Sequence, residues 1–349
     1  MKKGTKGLIN LAIIVVTLGV VLLVGFQGNS LQDVATAVTS LSPEWLALCL
    51  FAWLAYIGFD ALSMYLFLKL SGHPISYWRA YYISIIGLYY SNITPGATGG
   101  QPMQVYSLSQ CGVPVGVGTS SITVKFTTLQ SALVIMGAAL WITFPEFVNT
   151  QTQGFTVFLR LGTFINSLAV VLVVLLAVNK TLVRGLLHGI VNLLSKIHIV
   201  KHPDQARAKC DDTMASFHAS VYMLRHEKLH LLLQMLLSMA QMTCLMLVVV
   251  FVYHAFGLSG CSDLKLITLG LMLYMSVSYT PLPGASGMQE GGFAIFFAGI
   301  FPETTLFTAL LLWRFFTYYI SLIVGAAVTT GFSIGSLLRK KKKASRAEE

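Results

Sequence analysis

Residues 94–101 read TPGATGGQ, and residues 282–290 read LPGASGMQE. Both segments contain the pattern P-G-A-[T/S]-G-x-Q, and the two copies lie 188 residues apart. Each segment lies in the middle of a long apolar stretch, at about 79–111 and about 264–300. Proline interrupts a helix and glycine permits positive φ, so each segment is expected to end one helix before another begins. The sequence therefore predicts two broken helices in an apolar chain.

The similarity between the two copies continues downstream. Lys125 follows the first copy and Arg314 the second, each in an apolar helix that later contains a Gly-Ala-Ala step. Each unit is therefore predicted to be a span, a broken hairpin and a span with one basic residue. The units form an internal repeat, with repeat 1 at about 44–144 and repeat 2 at about 229–332.

The composition of the whole chain is that of an all-α polytopic membrane protein. Of its 349 residues, 55% are hydrophobic and 10% are charged, with a mean hydropathy of +0.74. Soluble domains carry about 25% charged residues, and a bilayer core needs roughly 20 apolar helical residues. This composition argues against a disordered chain, a nucleic-acid-binding protein and a disulfide-rich secreted scaffold. The predicted spans are 8–26, 44–70, 117–144, 155–178, 229–256 and 304–332.

The positions of lysine and arginine predict the topology. If both broken stretches return to the side they entered from, one face collects 19 of the 23 basic residues. That bias predicts about six spanning helices, two re-entrant broken hairpins and both termini in the cytoplasm. The two repeats then have opposite topology, an inverted arrangement that recurs in secondary transporters. We expect one transmembrane domain, 1–338, with a basic cytoplasmic tail, 339–349, in the plasma membrane of a bacterium.

The loop 179–228 is predicted to lie on the cytoplasmic membrane surface. It carries apolar residues at helical spacing with basic residues between them, which is typical of an interfacial amphipathic helix. The apolar positions are Leu182, Val183, Leu186, Leu187, Ile190, Val191, Leu194 and Ile197.

The breaks also predict a binding site. Non-helical backbone at membrane depth persists only where protein or a water-filled cavity covers it. The outgoing half-helices, starting near Gln101 and Met288, would direct free N–H groups and positive dipole ends into that cavity, which suits an anion. The candidate substrate-binding residues are Pro95, Gly96, Gly99, Gly100, Gln101, Lys125, Pro283, Gly284, Gly287, Gln289, Glu290 and Arg314.

Lys125 and Arg314 are the cations expected at this site. A charge within a span costs roughly 2.5–3.5 kcal/mol, so such residues are functional candidates by default. Arginine suits bidentate phosphate contact, whereas lysine acts as a point charge. The alternative is structural, with Arg314 paired to Glu290 and Lys125 paired to Asp60 for neutralisation only.

These residues resemble the lysylphosphatidylglycerol synthase transmembrane, or flippase-like, domain family over most of residues 8–335. The resemblance rests on Pro95 to Gln101, on Pro283 to Glu290, and on Lys125 and Arg314. It implies movement of phospholipids or polyprenyl-linked lipids between leaflets. Some members are fused to a soluble aminoacyl-transfer domain, which does not follow here, so we expect no lysyl transfer and no enzyme activity.

The sequence departs from the family pattern in the first half. Many relatives have a carboxylate where Gln101 or Gly100 stands, and an arginine followed three residues later by aspartate where this chain has Lys125 and Thr128. We therefore expect the first hairpin to recognise a different headgroup or to bind one less strongly.

The leading hypothesis is a lipid flippase. It would move an anionic phospholipid or a polyprenyl-phosphate-type lipid through a midplane polar cavity, with membrane lipids as partners and no cofactor, metal or nucleic acid. No nucleotide-binding motif is present, so a gradient, a coupled ion or product removal would drive transport. The alternatives are a small-solute secondary transporter, a membrane enzyme acting on lipid phosphates, and a scaffold for a lipid-synthesis enzyme partner. Homo-oligomer formation stays open.

Overall fold

The computed structural model describes residues 38–39, 41–196 and 203–330. Over this part of the chain the structure is nearly all helical and has no strand, apart from one isolated bridge pair, Ala298 and Phe301. The predicted first span, 8–26, and the predicted basic tail, 339–349, lie outside the described residues.

The helices of the described residues are numbered here in chain order. They are α1 (Pro43–Leu70), α2 (Tyr77–Ile93), α3 (Gly100–Gln110), α4 (Val115–Thr143), α5 (Pro145–Gln151), α6 (Thr156–Val178), α7 (Lys180–Lys196), α8 (Pro203–His226), α9 (Lys228–Ala255), α10 (Asp263–Val277), α11 (Met288–Phe296) and α12 (Glu303–Arg314). A π-helical turn, Phe315–Tyr319, follows α12 directly. The 3₁₀ turns Pro95–Ala97 and Pro283–Ala285 are called the first break and the second break below.

Five segments of the described chain are long and apolar enough to cross a membrane. They are Pro43–Leu70, Val115–Thr143, Gln153–Ala177, Lys228–Ala255 and Glu303–Thr330. They coincide with five of the six predicted spans, and the sixth is the segment that lies outside the described residues. The prediction of an all-α multi-pass membrane protein is confirmed.

The ends of helix α1 follow from its sequence. Pro43 occupies the first turn of α1, where its missing N–H would have no helical partner in any case. The helix ends at Leu70. The N–H of the next residue, Ser71, still donates to the Phe67 carbonyl at 2.9 Å, and Gly72 then takes φ 75°. Between these ends the helix is apolar on nearly all sides, as expected for a segment between protein and lipid.

The first helices of the two repeats pack against each other, and the two breaks also meet. The first helices of the repeats, α1 and α9, form the most extensive helix pair in the described chain. Helix α4 contacts α1, α3, α6 and α9, and the π-helical turn after α12 contacts α1 and α9. The first and second breaks touch each other, and α2 also contacts the second break. This packing brings the two repeated turns together instead of leaving one in each half.

The loop 179–228 contains two helices where the sequence predicted one. Helix α7 corresponds to the predicted amphipathic helix, although Ile197 lies outside the described residues. Helix α8 packs against both α7 and α4, and Asp211 of α8 accepts hydrogen bonds from Arg184 and His188 of α7. Although desolvation acts to raise it, these two bonds lower the pKa of the Asp211 carboxyl. The location of this hairpin at the membrane surface stays a prediction.

Candidate functional site

The first break is a tight turn that proline imposes on the end of α2. The residue before a proline disfavours helical geometry, and Thr94 accordingly leaves the helix with φ −113° and ψ 143°. Gly96 and Ala97 both have positive φ, at 59° and 56°. The Ala97 N–H donates to the Thr94 carbonyl at 3.1 Å, which closes the turn.

The second break has nearly the same backbone dihedral angles as the first. Leu282, which follows α10 by five residues, is extended with ψ 146°. Gly284 and Ala285 then have φ of 60° and 50°. The Ala285 N–H donates to the Leu282 carbonyl at 3.0 Å. The repeated sequence pattern therefore has a repeated backbone conformation, including an alanine in the left-handed region each time.

The two breaks diverge one residue later. Thr98 returns to helical angles, with ψ −17°, whereas Ser286 stays extended, with ψ 142°. Gly287 then takes φ 88° before α11 begins at Met288. Helix α3 begins at Gly100. The predicted starts of both outgoing half-helices, near Gln101 and Met288, are therefore confirmed within one residue.

Arg314 is buried beside the second break and is held by it. Its Nε donates to Glu290 Oε1 at 2.7 Å, and its Nη2 donates to the Gly284 carbonyl at 3.2 Å and weakly to Ser286 Oγ at 3.5 Å. Glu290 also accepts from the Gly287 N–H at 2.6 Å, so the carboxylate fixes both the guanidinium and the start of α11. Among the described residues the Nη1 group forms no hydrogen bond, so it remains available to a ligand.

Tyr318 connects Arg314 with the first half of the chain. Its ring lies 4.5 Å from the Arg314 guanidinium carbon, and its hydroxyl donates to the Asn92 carbonyl at 3.2 Å. The ring also lies where a side chain at Gly284 would start, since a Cβ there would be 2.1 Å from a ring carbon. Asn92 has a buried side-chain amide nitrogen without a partner in the described chain.

Lys125 of α4 is buried, and side chains of two neighbouring helices, α1 and α3, bind its ammonium group. Its Nζ donates to Asp60 Oδ2 of α1 at 2.8 Å and to Gln104 Oε1 of α3 at 3.0 Å. The other oxygen of Asp60 accepts from Gln241 Nε2 of α9 at 3.3 Å. Both predicted neutralising pairs, Lys125 with Asp60 and Arg314 with Glu290, are present in the structure.

The two breaks line one cavity of about 590 Å³ together with Arg314. This volume falls in the range of about 300–1,000 Å³ that is typical of small-molecule sites. Among its polar lining residues are Asn92, Thr98, Gln101, Gln130, Gln289, Arg314 and Tyr318. Thr98, Gln101 and Leu282 at its edge are exposed, so the cavity opens to the exterior of the protein.

A second cavity, of about 250 Å³, lies beside Lys125 and Asp60. It shares part of its wall with the first cavity, so the two are adjacent. The shared residues are Tyr56, Leu88, Ser91, Asn92, Ala97, Gln101, Phe126, Gln130 and Tyr274. Among the described residues that line the two cavities, Asp60 is the only carboxylate and Lys125 and Arg314 are the only cations.

The predicted site residues divide into those that line these cavities and those that shape them. Gly96, Gly100, Gln101, Lys125, Gly284, Gln289 and Arg314 are lining residues. Pro95, Gly99, Pro283, Gly287 and Glu290 are absent from both linings and act on the turns or on Arg314.

The structure adds lining residues that the sequence analysis missed. Tyr318 follows Arg314 by four residues, so one helical turn of spacing could have indicated it. Asn92 was detectable as a polar residue three positions before the first break begins at Pro95. The aromatic residues Trp53, Tyr56 and Tyr274 carry no local signal that separates them from ordinary span residues.

Comparison with known proteins shows that the chain is similar to a membrane-protein family and to a curated membrane protein. The family described as the lysylphosphatidylglycerol synthase TM region matches residues 8–325. A curated protein of Archaeoglobus fulgidus, described as a UPF0104 membrane protein, is 25% identical over 306 residues, which cover 83% of this chain and 88% of that protein.

Proposed function

Because the chain belongs to the lysylphosphatidylglycerol synthase transmembrane-region family, we propose that it moves an anionic lipid between membrane leaflets. The phosphate-bearing headgroup would enter the cavity between the two breaks while the acyl or prenyl tail stays in lipid. This is transport and involves no covalent change in the lipid. Its location in a plasma membrane belongs to the proposal as well.

The observation that carries this proposal is the cavity lined by both breaks and by Arg314. Two cations, Lys125 and Arg314, lie in or beside the two cavities, and each is paired with one carboxylate, so the preference for an anion comes from the backbone and from donors that remain unpaired. Helices α3 and α11 begin at the cavity wall, where their first N–H groups and dipole ends add positive potential. A phosphate group is the common anion that combines these requirements with a lipid tail.

Unpaired donors support the same reading. The Nη1 group of Arg314 and the amide nitrogen of Asn92 have no hydrogen-bond partner in the described chain. Of the two, only the Asn92 nitrogen is fully buried, and a buried donor without a partner is rare because it costs about 1–3 kcal/mol. Both residues line the same cavity, so one phosphate group could satisfy both of them.

The test is a leaflet-exchange assay with purified protein in liposomes that contain a trace of fluorescent phosphatidylglycerol. We expect wild-type protein to expose inner-leaflet label to a membrane-impermeant quencher, and Arg314→Lys to slow this at least tenfold, because lysine cannot reproduce the forked donor geometry. Arg160→Gln is the matched control, since Arg160 lies on the exposed side of α6 away from both cavities.

The proposal is wrong if wild-type protein and empty liposomes exchange label at the same rate. A second assay separates lipid transport from small-solute transport. Glycerol phosphate carries the same charged group without a tail, so uptake of radiolabelled glycerol phosphate without exchange of labelled lipid would favour a solute transporter.

A further inference from the structure

The two ion pairs of the site differ in how they face the cavities. Asp60 lines the second cavity and its side chain is 14% exposed. Glu290 lines neither cavity and its side chain is 7% exposed. Both Glu290 oxygens hold short bonds, to the Gly287 N–H and to Arg314 Nε, whereas one Asp60 oxygen has only a 3.3 Å contact with Gln241. Asp60 is therefore the carboxylate that water and protons can reach through the cavity.

The other groups that face Asp60 do not compete for a proton near neutral pH. Helix α3 contributes the amide of Gln104, and α9 contributes the amide of Gln241. Apart from Lys125, the titratable side chains among the described lining residues are the phenols Tyr56 of α1 and Tyr274 of α10, and the polar side chains from α2 are two serine hydroxyls and the amide of Asn92. Phenols ordinarily titrate near pH 10, so they stay neutral while a carboxylate titrates.

An anion in the cavity and Asp60 both attract the Lys125 ammonium group. The two cavities share Gln101, Gln130 and Asn92 in their walls, so an anion beside Arg314 also lies close to the Lys125–Asp60 pair. With Asp60 ionised, Lys125 is already neutralised at 2.8 Å. With Asp60 protonated, the positive charge of Lys125 becomes available to the anion.

We infer that Asp60 is a proton-binding site that is coupled to anion binding, so that a proton and an anionic headgroup occupy the site together. This rests on the proposed function and adds an energy source to it. The proton comes from water that enters the cavity, binds to the Asp60 carboxylate, and leaves when the anion leaves. Because linkage is reciprocal, the anion favours proton uptake as much as the proton favours anion binding. A proton gradient would then drive movement of the anion.

Calorimetry of the purified protein in phosphatidylcholine nanodiscs tests this inference. The probe is dihexanoylphosphatidylglycerol, a soluble phosphodiester whose charge is constant across the pH range used. Titrations in two buffers with different ionisation enthalpies report the number of protons taken up per bound probe. We expect tighter binding at about pH 5.5 than at about pH 8, with uptake of up to about one proton and up to about a tenfold change in Kd per pH unit.

Variants locate the proton. Asp60→Asn imitates the protonated residue, so it should bind with the acidic-pH affinity at both pH values and take up no proton. Asp60→Glu keeps a carboxylate and should keep proton uptake, which separates a titration effect from damage to the fold. Asp263→Asn is the matched control, because this carboxylate faces His254 at 2.7 Å outside both cavities, and it should retain the wild-type pH dependence.

The outcomes distinguish the two proposals. If wild type binds the probe with the same Kd at both pH values, or if Asp60→Asn keeps proton uptake, the coupling is wrong while anion binding stands. If uptake disappears in Glu290→Gln and persists in Asp60→Asn, the proton site is elsewhere and the inference also fails. If neither wild type nor Asp60→Asn binds the probe at any pH, the proposed function itself fails, and the coupling with it.

Discussion

The two breaks have the same turn but different surroundings. In the first break Pro95 to Thr98 are exposed, and the associated cation, Lys125, is held by side chains of other helices. In the second break Pro283 and Ser286 are buried, and Arg314 is held in part by the carbonyl of the break itself. A repeated motif thus determines a backbone turn, while the packing around each copy determines how firmly that turn and its cation are fixed.

Removal of the cation beside each break is expected to give the largest difference in stability between the two halves. Arg314→Met leaves Glu290 buried with only the Gly287 N–H as partner, so we expect a loss of roughly 3–5 kcal/mol of stability. Lys125→Met should cost less, since Asp60 faces a cavity and keeps its contact with Gln241. Unfolding of both variants in mixed micelles with increasing dodecyl sulfate measures this order. Equal losses would contradict the assignment of the second half as the more rigid one, and Arg314→Met with Glu290→Gln should recover part of the loss.

A methyl group on the glycine of each turn should also distinguish the two breaks. Gly284→Ala meets the Tyr318 ring at 2.1 Å in addition to its positive φ, so we expect a loss of about 2–4 kcal/mol. Gly96→Ala has the same φ but no atom nearer than 3.9 Å, so we expect about 1 kcal/mol. Thermal unfolding in detergent, followed by far-ultraviolet circular dichroism, compares them. A larger loss for Gly96→Ala would reverse the comparison.

A glycine-to-alanine substitution is expected to change stability in opposite directions in the first turns of the two outgoing helices, α3 and α11. Helix α3 approaches α2 closely, so Gly100→Ala would place its Cβ 2.5 Å from the Gly87 carbonyl oxygen and should cost about 1–3 kcal/mol. Gly291→Ala in α11 meets nothing within 4 Å and should stabilise by about 0.5–1 kcal/mol through helix propensity. Both are read from the same thermal unfolding curves. Destabilisation by Gly291→Ala would indicate that α11 has close neighbours as well.

The smallest difference concerns the hydroxyls of the two turns. Ser286→Ala removes a buried hydrogen bond of 2.8 Å to the Pro283 carbonyl and should cost about 1 kcal/mol. Thr98→Val removes the equivalent bond of 3.0 Å to the Pro95 carbonyl at an exposed position, where water replaces it, so the change should be close to zero. Urea titration in mild detergent measures the free energy of unfolding of both variants. A loss of stability in Thr98→Val as large as that in Ser286→Ala would show that the first turn is also shielded from water.

The two turns, the spans and one ion pair of the site could be predicted from the sequence because they depend on local chemistry. The Pro-Gly-Ala pattern predicts the turn wherever it stands, and five spans follow from the length of the apolar runs. The pairing of Arg314 with Glu290 followed from the cost of a charge within a span. Local sequence does not contain the contact of Tyr318 with Asn92, which joins residues 226 positions apart. Helix α8 was not predicted from the sequence because the segment is rich in polar residues and lacks a clear apolar periodicity.

The contact between Tyr318 and Asn92 also has a mechanical consequence. Tyr318 fills the space beside Gly284, lies against Arg314 and bonds to the end of α2, while the breaks themselves touch. A motion that opens one break without the other must first break this bond and uncover the buried ring. The breaks are therefore joined as one unit, and a rearrangement that keeps them intact must be a collective rocking of the surrounding helices. Motions of that kind take microseconds to milliseconds, which sets the time scale on which the cavity could face first one side and then the other.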